Sequence, residues 1–318
     1  MAFPGTGTIW MNGKLVDWNK ATIHVASHVV HYGSGVFEGA RCYDTVRGPA
    51  CFRLDAHMRR LLDSARIYRM EPAYSQEALT QAVYDVIEAN KFRACYIRPI
   101  IYRGYDSLGV NPLPCPVDVA IMVWEWGAYF TKEAIEEGLD VKVSTWARNA
   151  PNTTPAMAKS SANYANAQLI KLEALADGYA EAIALDTYGN LSEGSGQNVF
   201  VVRNGIIYTP PIGNSVLWGI TRDSVIDIAH DLGFEVREQT LPRETLYIAD
   251  EVFFVGTAVE VTPIRSVDRV KVGPGRRGPI TEAIQQRFFQ IVKGEAPDTR
   301  GWLQYVHTPA TSGAAKGR

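Results

Sequence analysis

The sequence lacks the features that would mark it for secretion or for a membrane. Its 318 residues include four cysteines, with no C-x-x-C pair and no spacing typical of a metal site. No apolar run is long enough to span a bilayer. Residues 1–8 have neither the basic nor the apolar region of a secretory signal. We therefore expect a cytoplasmic protein whose thiols stay reduced.

An excess of charge of either sign is also missing. Lysine and arginine number 32 and aspartate and glutamate 34, which gives a formal net charge of −2. This balance gives no electrostatic reason to expect nucleic acid or an anionic membrane as a partner. Hydrophobic residues make up 46% of the chain, enough for two moderate cores, so we expect two domains.

The first part of the chain alternates between strand and helix patterns. Asn12-Gly13 supplies the positive φ angles of a hairpin turn within residues 9–16. Apolar residues at helical spacing predict two amphipathic helices, and alternation predicts two strands. The helices cover residues 55–67 and 75–90, and the strands cover residues 94–102 and 118–124. Tyr96 and Arg98, two residues apart, should share one face of their strand.

The strand pattern stops at residues 130–138, where the sequence becomes polar. We place the domain boundary there, with a small N-terminal domain at residues 1–129 and a larger C-terminal domain at residues 139–318. The larger domain is predicted to contain helices at residues 163–177, 221–232 and 279–292 and strands at residues 140–146, 181–187, 198–202, 206–209 and 251–255. The small, polar tail from about residue 308 is expected to be disordered.

Two patterns near the N-terminus suggest ligand sites that we do not expect. His24, His28 and His31 would share one helical face, as in a zinc site, but no cysteine or carboxylate ligand stands nearby. Residues 33–39 read G-x-G-x-x-x-G, which differs from the dinucleotide-binding G-x-G-x-x-G. We therefore predict no metal, and we expect these glycines to let the backbone pass close to a ligand, with Phe37 aimed inward.

A lysine in an unusual setting, Lys159, is the main candidate for chemistry. It follows Pro151 and Pro155 and is surrounded by alanines and serines. Most lysines are solvated surface cations. These neighbours, however, offer no carboxylate partner, and a lysine enclosed in apolar surroundings loses its preference for the charged form and serves as nucleophile and base.

Three stretches that follow Lys159 carry a resemblance to a known family. They are residues 186–200, with Glu193, residues 218–222, Trp-Gly-Ile-Thr-Arg, and residues 251–258, which end in Gly-Thr-Ala. In this order they resemble the fold-type IV pyridoxal-phosphate enzymes, which include branched-chain and D-amino acid aminotransferases. The resemblance runs from about Trp10 to Trp302. It implies an α+β fold of two α/β domains, with pyridoxal 5'-phosphate between them.

The resemblance also assigns residues to the cofactor. It implies that Lys159 binds the cofactor aldehyde, that Tyr164 contacts the ring oxygen, and that Glu193 keeps the ring nitrogen protonated. A phosphate dianion prefers the N-terminus of a helix, and the helix predicted at residue 221 offers one. The implied phosphate contacts are Arg60, Gly219, Ile220, Thr221, Gly256 and Thr257. Arg59 beside Arg60 leaves an ambiguity of one residue, and we favour Arg60.

The same resemblance implies a substrate pocket. The matching positions are Tyr32, Phe37, Gly39, Tyr96, Arg98, Val110, Trp126, Tyr129, Thr257 and Ala258. Arg98 looks like the residue that receives the side-chain carboxylate of glutamate. We therefore expect transamination of L-leucine, L-isoleucine and L-valine with 2-oxoglutarate.

Two other functions stay open at this point. A D-amino acid or amine transaminase would share the fold, and a non-catalytic phosphate-ligand-binding protein would share the phosphate cup. A mere binder needs neither Lys159 nor Glu193, which argues against the second. The resemblance further implies a homodimer, or a hexamer built from dimers, in which Tyr32 and Val110 reach the neighbour's site.

Overall fold

The computed structural model describes residue 5, residues 7–127 and residues 130–306, apart from the side chain of Lys132. Between residues 7 and 127 it forms one antiparallel sheet and three helices. The elements are β1 (Thr8–Met11), β2 (Lys14–Asp17), α1 (His28–Tyr32), β3 (Gly35–Phe37), β4 (Ala40–Thr45), β5 (Gly48–Phe52), α2 (Leu54–Ile67), α3 (Gln76–Asn90), β6 (Cys95–Arg103) and β7 (Val117–Trp124). The predicted hairpin, helices and strands of this half are confirmed.

This first sheet has one face covered by helices and one face open to the rest of the molecule. Its strands follow the order β5-β4-β6-β7-β1-β2, and β3 pairs with β6. Because side chains alternate along a strand, Ile97 and Ile101 of β6 face α2 and α3, where they pack with Leu61 and Val83. Tyr96 and its neighbour Arg98 face the opposite way.

The second half builds a larger, mixed sheet. Its elements are α4 (Lys132–Glu137), β8 (Leu139–Val143), α5 (Asn163–Ala176), β9 (Glu181–Leu185), β10 (Leu191–Gly194), β11 (Asn198–Arg203), β12 (Ile206–Thr209), α6 (Ile220–Asp231), β13 (Val236–Glu238), β14 (Glu251–Gly256), β15 (Glu260–Val267), β16 (Val270–Lys271), α7 (Pro279–Val292) and β17 (Leu303–Tyr305). The sheet order is β10-β9-β8-β15-β14-β11-β12-β13, with β16 beside β15.

Helices cover one face of this second sheet. Val225 and Ile228 of α6 pack with Phe288 of α7 against Phe200 and Phe253. Buried apolar side chains of the other face form a separate core, which includes Val141, Val199, Val252 and Phe254. The sheet therefore has both faces packed, as expected for its nearly continuous apolar strands.

The last strand, β17, returns to the first sheet. It pairs antiparallel with β5, with Leu303 opposite Phe52, and Trp302 packs edge-on against the Phe52 ring at 5.6 Å between centroids. Helix α4 lies within residues 130–138, where the sequence analysis placed the domain boundary, and the remaining elements divide between the two sheets on either side of that segment. The proposed domain bounds stay a prediction. The predicted disordered tail lies outside the described residues.

The central strand β15 was missing from the sequence-based assignment. It contains Pro263, which lies opposite Phe253 of β14, and a proline inside a strand pattern argues against a central strand. The strands β3, β4, β5, β10, β13, β16 and β17, none longer than six residues, were also not predicted.

Three of the four cysteines, which look scattered in the sequence, are neighbours in space. Cys42 of β4 lies opposite Cys51 of β5 and Cys95 of β6, and all four thiols are free and buried. Among the described residues, no helix is long and apolar enough to cross a membrane.

Candidate active site

A cavity of about 290 Å³ lies between the two sheets, and most of the predicted site residues line it. These are Phe37, Gly39, Arg60, Tyr96, Arg98, Trp126, Lys159, Tyr164, Glu193, Gly219, Ile220, Thr221, Gly256, Thr257 and Ala258. Tyr32 and Val110 do not line the cavity and are 46% and 87% exposed. Tyr129 lies outside the described residues. The structure thus brings together residues from both halves of the chain, from Phe37 to Ala258.

Lys159 lies in the loop before α5, and its backbone is fixed to the first half of the molecule. Its N–H donates to the Ser64 hydroxyl at 3.1 Å, and its carbonyl accepts from the N–H of Phe37 at 3.0 Å. The Lys159 Nζ donates to the Tyr164 hydroxyl at 2.5 Å. It also lies 5.1 Å from the centre of the Phe37 ring. The amine therefore contacts a phenol and an aromatic face.

Glu193 lies at the inner wall of the cavity on the fully buried strand β10. Its Oε2 accepts hydrogen bonds from Asn198 Nδ2 and the Leu217 N–H, both at 3.1 Å. Its Oε1 forms an ion pair with Arg148 at 2.7 Å. Burial raises the pKa of Glu193 above its usual value, while Arg148 opposes this shift. Another cation beside Glu193 would therefore favour its charged form.

Arg148 was not among the predicted site residues. It stands in the polar loop after β8, where no local pattern separates it from a solvated arginine. Only the fold brings it to the cavity. There it binds one carboxylate oxygen of Glu193 while the Asn198 amide binds the other.

The N-terminus of α6 opens into the cavity. Its N-cap, Gly219, has extended backbone and no side chain to bind the first N–H groups, so these are left for a ligand. A Cβ at Gly219 would collide with the Asn198 side chain, which explains the glycine. The hydroxyl-bearing residues Thr221 and Thr257 line the same cavity. This end suits an anion with several oxygens.

Arg60 of α2 lies beside this anion end. Its side chain is 14% exposed, whereas that of Arg59 is 78% exposed and lies near Asp63. Arg60 Nη1 donates to the Trp218 carbonyl at 2.7 Å, just before Gly219. Of the two adjacent arginines, only Arg60 lines the cavity.

Glu38 and His57, which the sequence analysis did not single out, hold Arg60. The Glu38 carboxylate accepts from Arg60 Nε at 2.5 Å and Nη2 at 2.9 Å, and His57 Nδ1 lies 2.7 Å from the oxygen that Nη2 contacts. The spacing of His57 and Arg60, one helical turn apart, was the available signal. Nothing in the sequence indicated that residue 38 would face the same turn.

The other end of the cavity is aromatic and contains one arginine. Arg98 lies 4.8 Å from the Phe37 ring centre and 5.4 Å from that of Tyr96. Trp126 packs edge-on against Tyr96 at 4.4 Å. The Arg98 Nε is buried without a hydrogen-bond partner among the described residues. A cation with an unused donor at an apolar wall suits a ligand that carries a carboxylate.

Gly39 makes room for this wall. A Cβ at residue 39 would collide with the Tyr96 hydroxyl, so a larger residue would push Tyr96 out of the cavity. The glycine thus serves close packing, in line with the expectation that this stretch lets the backbone approach a ligand.

Two other arginines near this wall are already engaged. Arg41 donates to the carbonyls of Thr257 at 2.8 Å and Ala258 at 2.9 Å. Arg103 donates to the carbonyls of Cys115 and Arg69 and does not line the cavity. Of these three arginines, Arg98 is the one that lines the cavity.

The histidines near the N-terminus contact other groups of the protein. His28 contacts the Ser34 hydroxyl at 2.6 Å and the Gly109 carbonyl at 2.8 Å, while His31 contacts the Val25 carbonyl. Within the described part of the chain, no group of three histidine, cysteine or acidic side chains could hold a metal ion. The His-rich run therefore fixes the loops around α1.

Residues 35–267 match the family model described as amino-transferase class IV. The branched-chain-amino-acid aminotransferase of Escherichia coli strain K12 is 52% identical over 300 residues, covering 94% of this chain and 97% of that protein. The enzyme of that name from Pseudomonas aeruginosa strain PAO1 is 44% identical over 300 residues, with the same coverage.

Solved structures show the same similarity. The crystal structure of the Escherichia coli branched-chain amino acid aminotransferase superposes with a TM-score of 0.93 at 51% identity, covering 95% of this chain and 100% of that one. The branched-chain amino acid aminotransferase from Thermobaculum terrenum, in its PLP-form, gives a TM-score of 0.88 at 33% identity, covering 96% and 99%.

Proposed function

Because the chain belongs to the class IV aminotransferase family, we propose that its cavity transaminates L-leucine, L-isoleucine and L-valine with 2-oxoglutarate. The protein has the fold-type IV architecture and uses pyridoxal 5'-phosphate. One observation carries the placement of the reaction. A single cavity contains a lysine hydrogen-bonded to a tyrosine hydroxyl, a buried glutamate, an open helix N-terminus and an aromatic wall with one arginine.

The residues present fit the cofactor. The open N-terminus of α6 and the side chains of Thr221, Thr257 and Arg60 offer the donors that a phosphate needs. Lys159 would bind the aldehyde carbon, and Tyr164 would contact the neighbouring ring oxygen. Gly256, where an added Cβ would make only ordinary contacts, extends this phosphate-binding surface toward Thr257.

The reaction itself requires a proton to move at the amino acid Cα. When bound, the cofactor withdraws electrons from that carbon and so makes it acidic. Lys159 supplies the base, because its amine lies in the cavity and contacts the Tyr164 hydroxyl. The Phe37 ring lies 5.1 Å from the amine and packs against the Tyr164 ring at 4.7 Å between centroids.

Glu193 holds a proton on the ring nitrogen, and we expect Glu193→Gln to slow the chemistry without releasing the cofactor. A neutral amide accepts a hydrogen bond but does not favour the charged ring. Loss of one charge-assisted hydrogen bond corresponds to a decrease of about tenfold to hundredfold. The measurement is the rate of the leucine half-reaction per bound cofactor, by stopped-flow absorbance.

The exposed carboxylate Glu137 offers a matched control for this variant. Glu137→Gln removes the same charge outside the cavity and should leave the rate unchanged. An unchanged rate in Glu193→Gln as well would remove Glu193 from the mechanism.

The substrate end must accept both an isobutyl group and a carboxylate. Phe37, Tyr96 and Trp126 provide the apolar surface for leucine, isoleucine and valine. A carboxylate that enters an apolar site needs a charged partner. Arg98 provides this partner for glutamate and 2-oxoglutarate, with a donor that no described residue of the protein uses.

We further propose a homodimer, or a hexamer of dimers, in the cytoplasm. The support is that Tyr32 and Val110 are large apolar side chains left exposed at 46% and 87%, as expected if a neighbouring subunit covers them. Tyr129 keeps its assignment to the pocket as a proposal. The four unpaired thiols accord with a reducing compartment.

The proposed function is tested by the colour of the purified holoenzyme. We expect a visible absorption band that disappears when L-leucine is added without an acceptor and returns with 2-oxoglutarate, because the amino group moves onto the cofactor and off again. D-Leucine is the control and should leave the band unchanged. Loss of the band with D-leucine alone would indicate a D-amino acid transaminase. A band that no amino acid changes would indicate a binding protein.

A further inference from the structure

A fully buried carboxylate, Glu38, lies beside the phosphate end of the cavity without lining it. It directly follows β3, and its backbone N–H donates to the Pro99 carbonyl at 2.9 Å. Its side chain is 0% exposed. A buried carboxylate is costly unless its lone pairs are satisfied. Glu38 meets this demand with four hydrogen bonds, two from Arg60 and one each from His57 and the Gly39 N–H.

The hydrogen bonds of Arg60 leave a defined pair of donors. A guanidinium carries five N–H groups, one on Nε and two on each Nη. Glu38 accepts from Nε and from one N–H of Nη2, and the Trp218 carbonyl accepts one N–H of Nη1. One N–H therefore stays on each Nη. Two donors held in one rigid plane suit the oxygens of a phosphate.

The protonation states keep this arrangement fixed. Burial opposes the charge of Glu38, but Arg60 and His57 outweigh it, so the pKa of Glu38 lies well below its usual value. Burial also lowers the pKa of His57, although Glu38 opposes that shift. A carboxylate only accepts hydrogen bonds, so a neutral His57 must carry its proton on Nδ1 and donate it to Glu38.

We propose that Glu38, itself fixed by His57, is a positioning residue that aims the two remaining N–H groups of Arg60 at the phosphate of the cofactor. This inference rests on the proposed function, because it assumes pyridoxal phosphate in the cavity. Without the carboxylate, the long Arg60 side chain would adopt several orientations and lose freedom each time it bound the phosphate.

Glu38 also has an effect of the opposite sign. Its negative charge repels the phosphate, so its removal should favour binding wherever Arg60 is absent. If Glu38 acts through Arg60, removing Glu38 should weaken phosphate binding when Arg60 is present but not when it is absent. A merely structural role of Glu38 predicts the same loss in both.

The first experiment compares pyridoxal phosphate with pyridoxal, which lacks the phosphate, as ligands of the apoenzyme. Binding is followed by the visible absorbance that each aldehyde gives at Lys159. For Glu38→Gln we expect the Kd of pyridoxal phosphate to rise about tenfold or more and that of pyridoxal to change less than about twofold. An equal rise for both ligands would overturn the proposal.

The second experiment completes a double-mutant cycle with Arg60→Ala. In that background, Glu38→Gln should leave the Kd of pyridoxal phosphate unchanged or lower it. A rise by the same factor as in the wild type would show that Glu38 acts independently of Arg60 and would contradict the proposal.

Two further variants keep the proposal testable if Glu38→Gln misfolds. His57→Leu removes a donor that fixes Glu38 and should raise the ratio of the two Kd values in the same direction. No change in that ratio would contradict the role of His57. Arg59→Ala, at the exposed neighbour of Arg60, should behave as wild type. If the wild-type apoenzyme binds neither aldehyde at Lys159, the proposed function fails, which is distinct from failure of this inference.

Discussion

Lys159→Ala is expected to abolish transamination while leaving the fold intact. One amine performs both tasks of the site, the covalent bond to the cofactor and the proton transfer at Cα, so no other group replaces it. Ala156 and Ala158 beside it show that the loop accepts alanine. The measurements that test this are turnover with L-leucine and 2-oxoglutarate, the visible absorbance after reconstitution, and thermal unfolding. We expect activity to fall by at least about a thousandfold.

Lys171 provides the matched control, because it is a second lysine at the cavity. Its Nζ is held by Glu181 at 3.0 Å and by the Ala180 carbonyl at 2.6 Å. Lys171→Ala should lower the melting temperature, since it takes the ion-pair partner from the buried Glu181, yet it should keep the visible absorbance. Substantial activity in Lys159→Ala would overturn the assignment of the whole site.

Arg98→Ala is expected to separate the two substrates of the reaction. Leucine and glutamate share the α-carboxylate and the amine, so only the side-chain end of the pocket treats them differently. Removing one partner of a buried charge pair costs about 3–5 kcal/mol. We therefore expect kcat/KM for glutamate and for 2-oxoglutarate to fall at least about a hundredfold. The value for leucine should change much less, because an isobutyl group needs no cation.

Arg98→Lys distinguishes charge from geometry in this prediction. Lysine keeps the positive charge but lacks the planar fork that binds two carboxylate oxygens. The decrease in kcat/KM for glutamate should therefore lie between none and that of Arg98→Ala. The measurement is both half-reactions by stopped-flow absorbance. An equal fall for leucine and glutamate in Arg98→Ala would show that Arg98 only supports the wall of Phe37 and Tyr96.

Local patterns alone drew attention to a few of the predicted site residues, and the family resemblance supplied the others. Lys159 stands out by its small neighbours, and the N-terminus of α6 stands out by the glycine before a helical pattern. Tyr96 and Arg98 share a face by alternation alone. These features depend on short stretches of chain, so tertiary contacts were not needed to find them.

The residues that the sequence analysis missed depend on distant contacts. Arg148 reaches Glu193, 45 residues further along, only through the fold. Glu38 meets Arg60 because β3 packs beside α2, which no local period reveals. Strand β15 was missed for another reason. Its Pro263 argues against a central strand in the sequence, but pairing with β14 and β8 stabilises the strand in the fold. Tyr32 and Val110, in contrast, do not line the cavity of the single chain.

The pairing of β17 with β5 has a consequence for how the protein is made. The ribosome releases Leu303 about 250 residues after Phe52, and at roughly 5–20 residues per second the interval exceeds about ten seconds. During translation β5 is therefore an open sheet edge, of the kind that joins other nascent chains. Pro49 within β5 has no N–H to offer such a partner. Its carbonyl later accepts the N–H of Val306, so the edge closes only after β17 has been made.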